Sequence, residues 1–110
     1  MLWLNPLDPE LHKVEAGLAL ANFLMRRFEI ALSWVTKSIA RQKNFTFAIR
    51  LALACYAMLG RKADAHLMLT RLYDAGGPFT ITQFRTWTAI QRQEDVDLQL
   101  EAFRLAGVPE

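Results

Sequence analysis

Cysteine is nearly absent from this chain. Cys55 is the sole example in 110 residues, which excludes an intrachain disulfide and a cysteine-based zinc site. Histidine is almost as scarce. His12 and His66 stand alone, and neither has a second ligand four residues away that would aim both at a metal from one helical face. Long apolar runs are missing too: the longest are broken by Asn22 and Arg50 and fall short of the ~20 residues that span a bilayer. The start lacks the basic segment and the ~7–15-residue apolar stretch of a signal peptide. Gly76-Gly77-Pro78 is no phosphate loop, since no Lys with Ser or Thr follows it. The period-two alternation of a strand occurs nowhere. These absences leave a cytoplasmic, all-α domain as the expectation, with no metal, cofactor, small-molecule substrate or membrane insertion.

What is present is apolar. Hydrophobic residues make up 53% of the chain, slightly above the usual ~45–50%, so one helical face is expected to need cover from a partner. The net charge of +2 is too small to imply nucleic acid, but it is unevenly spread. Residues 1–72 carry +5 and residues 73–110 carry −3, an asymmetry that either attracts molecules head to tail or belongs to an ordinary solvated surface. Arg26, Arg27, Lys37, Arg41 and Lys43 could touch phosphates beside Trp34, yet cations at helix ends are already explained by solvation and the helix dipole.

Periodicity predicts six helices. The first spans about 9–25, entered by Asp8 as N-cap and Pro9 at the first position, with Leu11, Val14, Leu18, Ala21 and Met25 as its stripe. The second spans about 28–41 and turns Phe28, Ala31, Leu32, Val35 and Ile39 inward. Asn44 is expected to cap a third helix over 45–59, ended by Gly60, with Cys55 in its middle as a small hydrophobe. A fourth, about 62–75, packs Ala65, Leu67, Leu69 and Leu72 and stops at Gly76-Gly77-Pro78. Thr80 or Thr82 caps a short helix to about 88. Glu94 and Asp95 open the last, about 95–105, along Leu98, Ala102 and Leu105. Leu4-Asn5-Pro6 reads as the end of a helix whose body lies upstream.

The chain also repeats itself. Arg26-Arg27-Phe28-Glu29-Ile30-Ala31-Leu32 returns 34 residues later as Gly60-Arg61-Lys62-Ala63-Asp64-Ala65-His66, with Ala31 and Ala65 small enough for two helices to cross closely. In period and in these turns residues 9–77 resemble the tetratricopeptide repeat. Departures exist: Glu15 and Ile49 stand where that family favours Trp or Leu, and Ala19 and Leu53 where it favours Gly. The expected domain is 1–110, with repeats at about 9–43 and 44–77 and capping helices over 80–110. The helix at Thr80 could serve as a third half-repeat.

A narrower resemblance rests on Leu4-Asn5-Pro6-Leu7-Asp8-Pro9-Glu10-Leu11-His12, on Pro78-Phe79-Thr80-Ile81-Thr82-Gln83-Phe84 and on the final Phe103-Arg104-Leu105-Ala106-Gly107-Val108-Pro109-Glu110. These are similar to the C-terminal repeat region of bacterial, especially rhizobial, class III adenylate/guanylate cyclases. The resemblance implies a regulatory or scaffolding tail without cyclase chemistry, Met1 falling within a longer protein and Glu110 being its natural end. The paired metal-holding carboxylates of such a centre sit on a sheet that this chain lacks. Glu94, Asp95 and Asp97 read instead as dipole-offsetting charge.

In the repeat pattern the first helix of each pair lines a concave face. By position that face is Ala16, Leu20, Phe23 and Leu24 with Phe47, Arg50, Ala54 and Met58. Arg50 alone does not make the basic clamp of the family's carboxylate-binding grooves, so the face reads as an apolar bed for an amphipathic helix. Two occupants stay open: a protein partner or second copy, as in a homodimer, or the chain's own tail through Phe84, Trp87 and Leu98.

Overall fold

The computed structural model describes residues 7–76, 79–87 and 92–110. Among them all regular structure is helical: α1 (Leu11–Leu24), α2 (Phe28–Arg41), α3 (Thr46–Met58), α4 (Lys62–Gly76), α5 (Ile81–Trp87) and α6 (Gln93–Leu105). The helix end expected over 1–6 and positions 77, 78 and 88 lie outside the described residues. α1 with α2 and α3 with α4 form two hairpins, α3 packs on both α1 and α2, and α6 lies on α3 with α5 beside it. α1, α3 and α5 begin at residues 11, 46 and 81, so an even spacing continues into the tail.

α3 is the centre. Eight of its 13 residues are buried, most of them small: Ala48, Ala52, Ala54, Cys55 and Ala57 beside Ile49, Leu51 and Leu53. Small side chains let neighbouring helices approach from several directions, which is why this helix, buried around most of its girth, can be enclosed. Ala31 and Ala65, the repeated small residues, are both fully buried.

Helix ends follow from local chemistry. α1, α3 and α6 all close in the Schellman pattern, with the paired bonds Arg27 N–H to Asn22 C=O and Arg26 N–H to Phe23 C=O, Arg61 to Tyr56 and Gly60 to Ala57, and Val108 to Phe103 and Gly107 to Arg104. The motif needs a left-handed residue, and Gly60 (φ 75°) and Gly107 (φ 90°) supply it without strain. Arg26 takes the same conformation (φ 62°) with a Cβ in the way. Thr80 caps α5 in a reciprocal box: the Gln83 N–H donates to Thr80 Oγ1 and the Thr80 N–H to Gln83 Oε1, both at 3.1 Å. Asn44 does not cap α3. The N-cap position is Phe45, whose ring lies against His12 at 4.9 Å and Phe47 at 5.9 Å.

The stripe expected for α1 is displaced. Val14, Ala21 and Met25 are exposed, and the buried line is Leu11, Glu15, Ala16, Ala19 and Phe23. The physical reason is Glu15, a carboxylate that reads as surface but is 2% exposed. Arg41 Nε donates to its Oε1 at 2.7 Å across the hairpin, and one turn away Ser38 Oγ donates to the His12 carbonyl at 2.6 Å. In the second hairpin the equivalent positions are Ile49, Ala75 and Leu72. One hairpin is laced by polar bonds and the other by oil. Leu67 and Leu105 also face solvent, against expectation, at 62% and 51% exposure.

Two outcomes test this account by urea unfolding. Arg26→Gly relieves the left-handed cost and stabilises the fold by about 0.5–1 kcal/mol; unchanged or lower stability would contradict a strained turn. Arg41→Ala strands the buried Glu15 and destabilises by about 1–3 kcal/mol, at the low end for broken buried pairs because the arginine is itself half exposed. Glu15→Ile with Arg41→Ala, copying the second hairpin, regains most of that loss.

Candidate functional site

Five of the described aromatic rings, Phe47, Phe79, Phe84, Trp87 and Phe103, gather around one charge. Phe47, Arg50, Leu51 and Ala54 recur at three and four residues and so share one face of α3. Leu20 of α1 borders that face, and the tail folds over it. Phe84 and Trp87 come from α5, Gln99 and Phe103 from α6, and together these residues line a partly open cavity of about 170 Å³.

The Arg50 guanidinium sits among three rings, with its Cζ 5.0 Å from the centroid of Trp87, 5.6 Å from Phe79 and 5.8 Å from Phe47. Each such contact is worth about 0.5–2 kcal/mol, more as water is excluded. The rings brace one another: Phe79 meets Phe103 edge-on at 5.2 Å, Phe84 meets Phe103 at 4.8 Å, and Phe79 stacks on Trp87 at 5.9 Å. Among the described residues no carboxylate pairs with Arg50, and none lines the cavity. Burial, which removes water from the cation, pulls its pKa below the ordinary guanidinium value.

Three of the six residues expected in a binding groove, Leu20, Phe47 and Arg50, line this cavity. Phe23 does not. It is fully buried against Phe28, with ring centroids 5.2 Å apart, because the true α1 stripe passes through it. Leu24 and Met58 are half-buried packing residues outside the cavity lining. Ala54 lines it and Ala16 is core. Of the tail residues, Phe84 and Trp87 stand on the cavity as expected of a self-covering tail, whereas Leu98 is buried elsewhere on α6. Sequence reasoning missed Phe79, Gln99 and Phe103. The Gln99–Phe103 spacing of four residues was the available signal, masked by the more apolar line through Leu98 and Ala102.

Most of the other candidate side chains are taken up by packing. His12 is half-buried edge-on to Phe45, and His66 is exposed. Lys37 lies 4.7 Å over the Trp34 ring and Arg41 is held by Glu15, so these cations are engaged within the fold. Among the described residues no three His, Cys, Asp or Glu side chains are grouped to hold a metal, and no described helix is long and apolar enough to cross a membrane. Searches against protein-family models, curated proteins and solved structures find no match to this chain.

Cys55, the remaining nucleophile, is buried in α3, and desolvation pushes its thiol up to about 12. A neutral, enclosed thiol does not react. Ellman's reagent at about pH 8 is expected to leave Cys55 untouched in the native protein and to titrate it fully in denaturant; prompt native labelling would contradict the burial. Because the folded-state pKa lies above the ordinary 9.0, the stability held by the neutral thiol is complete below pH 9 and is lost toward pH 12. Cys55→Ala removes that part of the alkaline loss.

Proposed function

We propose that this chain is a non-catalytic protein-interaction module of tetratricopeptide type, serving as a regulatory or scaffolding segment of a class III adenylate/guanylate cyclase-like signalling protein. The observation that carries the interaction reading is the pair of stacked helical hairpins, α1 with α2 and α3 with α4, at the spacing of the repeat. The face that the repeat pattern assigns to a partner is covered by the chain's own α6, so a partner either displaces α6 or docks elsewhere on the hairpins. Supporting it, the buried polar side chains Glu15, Ser38 and Gln99 are each hydrogen-bonded within the helix packing, to Arg41, the His12 carbonyl and the Asp95 carbonyl. The cyclase context rests on the end motifs alone.

A second reading, a free-standing adaptor or homodimer, is favoured by α4. That helix packs chiefly on α3 and leaves Leu67 and Tyr73 exposed. An immunoblot of host lysate with antibody to this segment separates the two. A band several times heavier than 12.6 kDa, whose cyclic-nucleotide output changes when the segment is deleted, supports the regulatory tail. A band near 12.6 kDa removes the cyclase part and leaves the adaptor. Cyclic-nucleotide synthesis by the isolated segment would overturn the non-catalytic reading.

A further inference from the structure

A half-buried cation normally recovers its lost hydration from an opposite charge or from several acceptors. Arg50 has three ring faces and, among the described residues, neither an ion pair nor a hydrogen bond. No described side-chain nitrogen is both sealed from solvent and unbonded. Its donors therefore still reach open space, and the cavity it lines has room for a ligand.

The volume sets the size of an occupant. At about 170 Å³ the cavity is comparable to the ~150 Å³ apolar cavity that holds benzene in another protein. The lining sets its chemistry. Phe47, Phe84, Trp87 and Phe103 offer hydrocarbon and ring faces, while Arg50 supplies the sole formal charge among the described lining residues. A guanidinium presents two parallel N–H groups that match the two oxygens of a carboxylate. A phosphate dianion asks for more donors than one arginine offers, and a nucleotide exceeds the space.

We propose that the Arg50 cavity binds a small organic monocarboxylate with an aromatic or branched aliphatic body, the carboxylate on Arg50 and the body among the rings. This site is separate from the protein-interaction reading and departs from the expectation that no small molecule is bound. The ligand touches α3 through Arg50 and Phe47 and the tail through Trp87 and Phe103, so it bridges the two.

Benzoate and 3-methylbutanoate are the probes, titrated into the whole 110-residue chain while the indole N–H resonance of Trp87 is followed by NMR. Benzamide serves as the neutral isostere of benzoate. The expected result is saturable movement of the Trp87 signal by at least one carboxylate, with Kd at or below about 1 mM, and benzoate binding at least about tenfold tighter than benzamide. Arg50→Met is expected to lose at least about tenfold in benzoate affinity and nothing in benzamide affinity. Equal binding of benzoate and benzamide, undiminished benzoate binding by Arg50→Met, or no saturable response to either carboxylate up to its solubility would each overturn the proposal. Should Arg50→Met fail to fold, the benzoate-to-benzamide ratio on the native chain decides alone.

Discussion

Everything else in this fold accommodates the enclosure of α3. A helix buried on most sides must be surrounded, and the surrounding elements must come close. The alanines at 48, 52, 54 and 57 permit the approach, and α1, α2, α4 and α6 supply the cover. Two helical hairpins cannot close such a helix, because a hairpin stack leaves one face of its last-added layer open. The tail closes it. Arg50 is the one charged residue in the helix, and enclosure seats its guanidinium among rings, half withdrawn from water. The cage is thus a consequence of burying α3 with a cation still on it.

Much of the architecture was legible because it is written in local chemistry. The 34-residue correspondence of Ala31 with Ala65, the glycine at 60 and the Gly107-Val108-Pro109 ending each carry their physical cause within a few residues. What escaped was decided across helices. Glu15 hid the α1 stripe, because a carboxylate can lie in a core only when a particular partner is present, and Arg41 is 26 positions away. Leu67 and Leu105 misled in the opposite direction: an apolar residue at a plausible spacing carries no mark of which side its helix will turn outward. The candidate site divides the same way. Its α3 half, Phe47, Arg50 and Ala54, follows from helical spacing. Its other half, from Phe79 to Phe103, depends on how the tail docks.

The two hairpins show that one geometry tolerates two kinds of interior. In the first, Glu15, Arg41 and Ser38 make directional bonds at 2.6–2.7 Å between α1 and α2. In the second, Ile49, Ala75 and Leu72 fill the same repeat positions with hydrocarbon. Glu15 is nearly as buried as Ile49, so the two interiors differ in the partner across the hairpin: Arg41 answers the carboxylate in the first, and Ala75 stands at that place in the second.

The weakest element holds part of the cage. α5 has seven residues, too few for an isolated helix in water. Its stability is borrowed from the Thr80–Gln83 capping box, from Phe84 in the aromatic cluster, and from the last residues of the chain. Its first free N–H groups, Ile81 and Thr82, donate to the carbonyls of Pro109 and Glu110 at 2.9 and 3.1 Å. The Thr82 hydroxyl joins them at 2.6 Å, and Arg104 pairs with the Glu110 carboxylate at 3.1 Å. Gly107, left-handed after α6, is what turns the chain back to make these bonds. Undocking residues 106–110 would leave the start of α5 with unsatisfied donors and loosen the helix that carries Trp87. The cover over Arg50 and residues 106–110 are therefore joined by direct hydrogen bonds, and the rings of Phe79, Phe84 and Phe103 seat them beside Arg50 on α3.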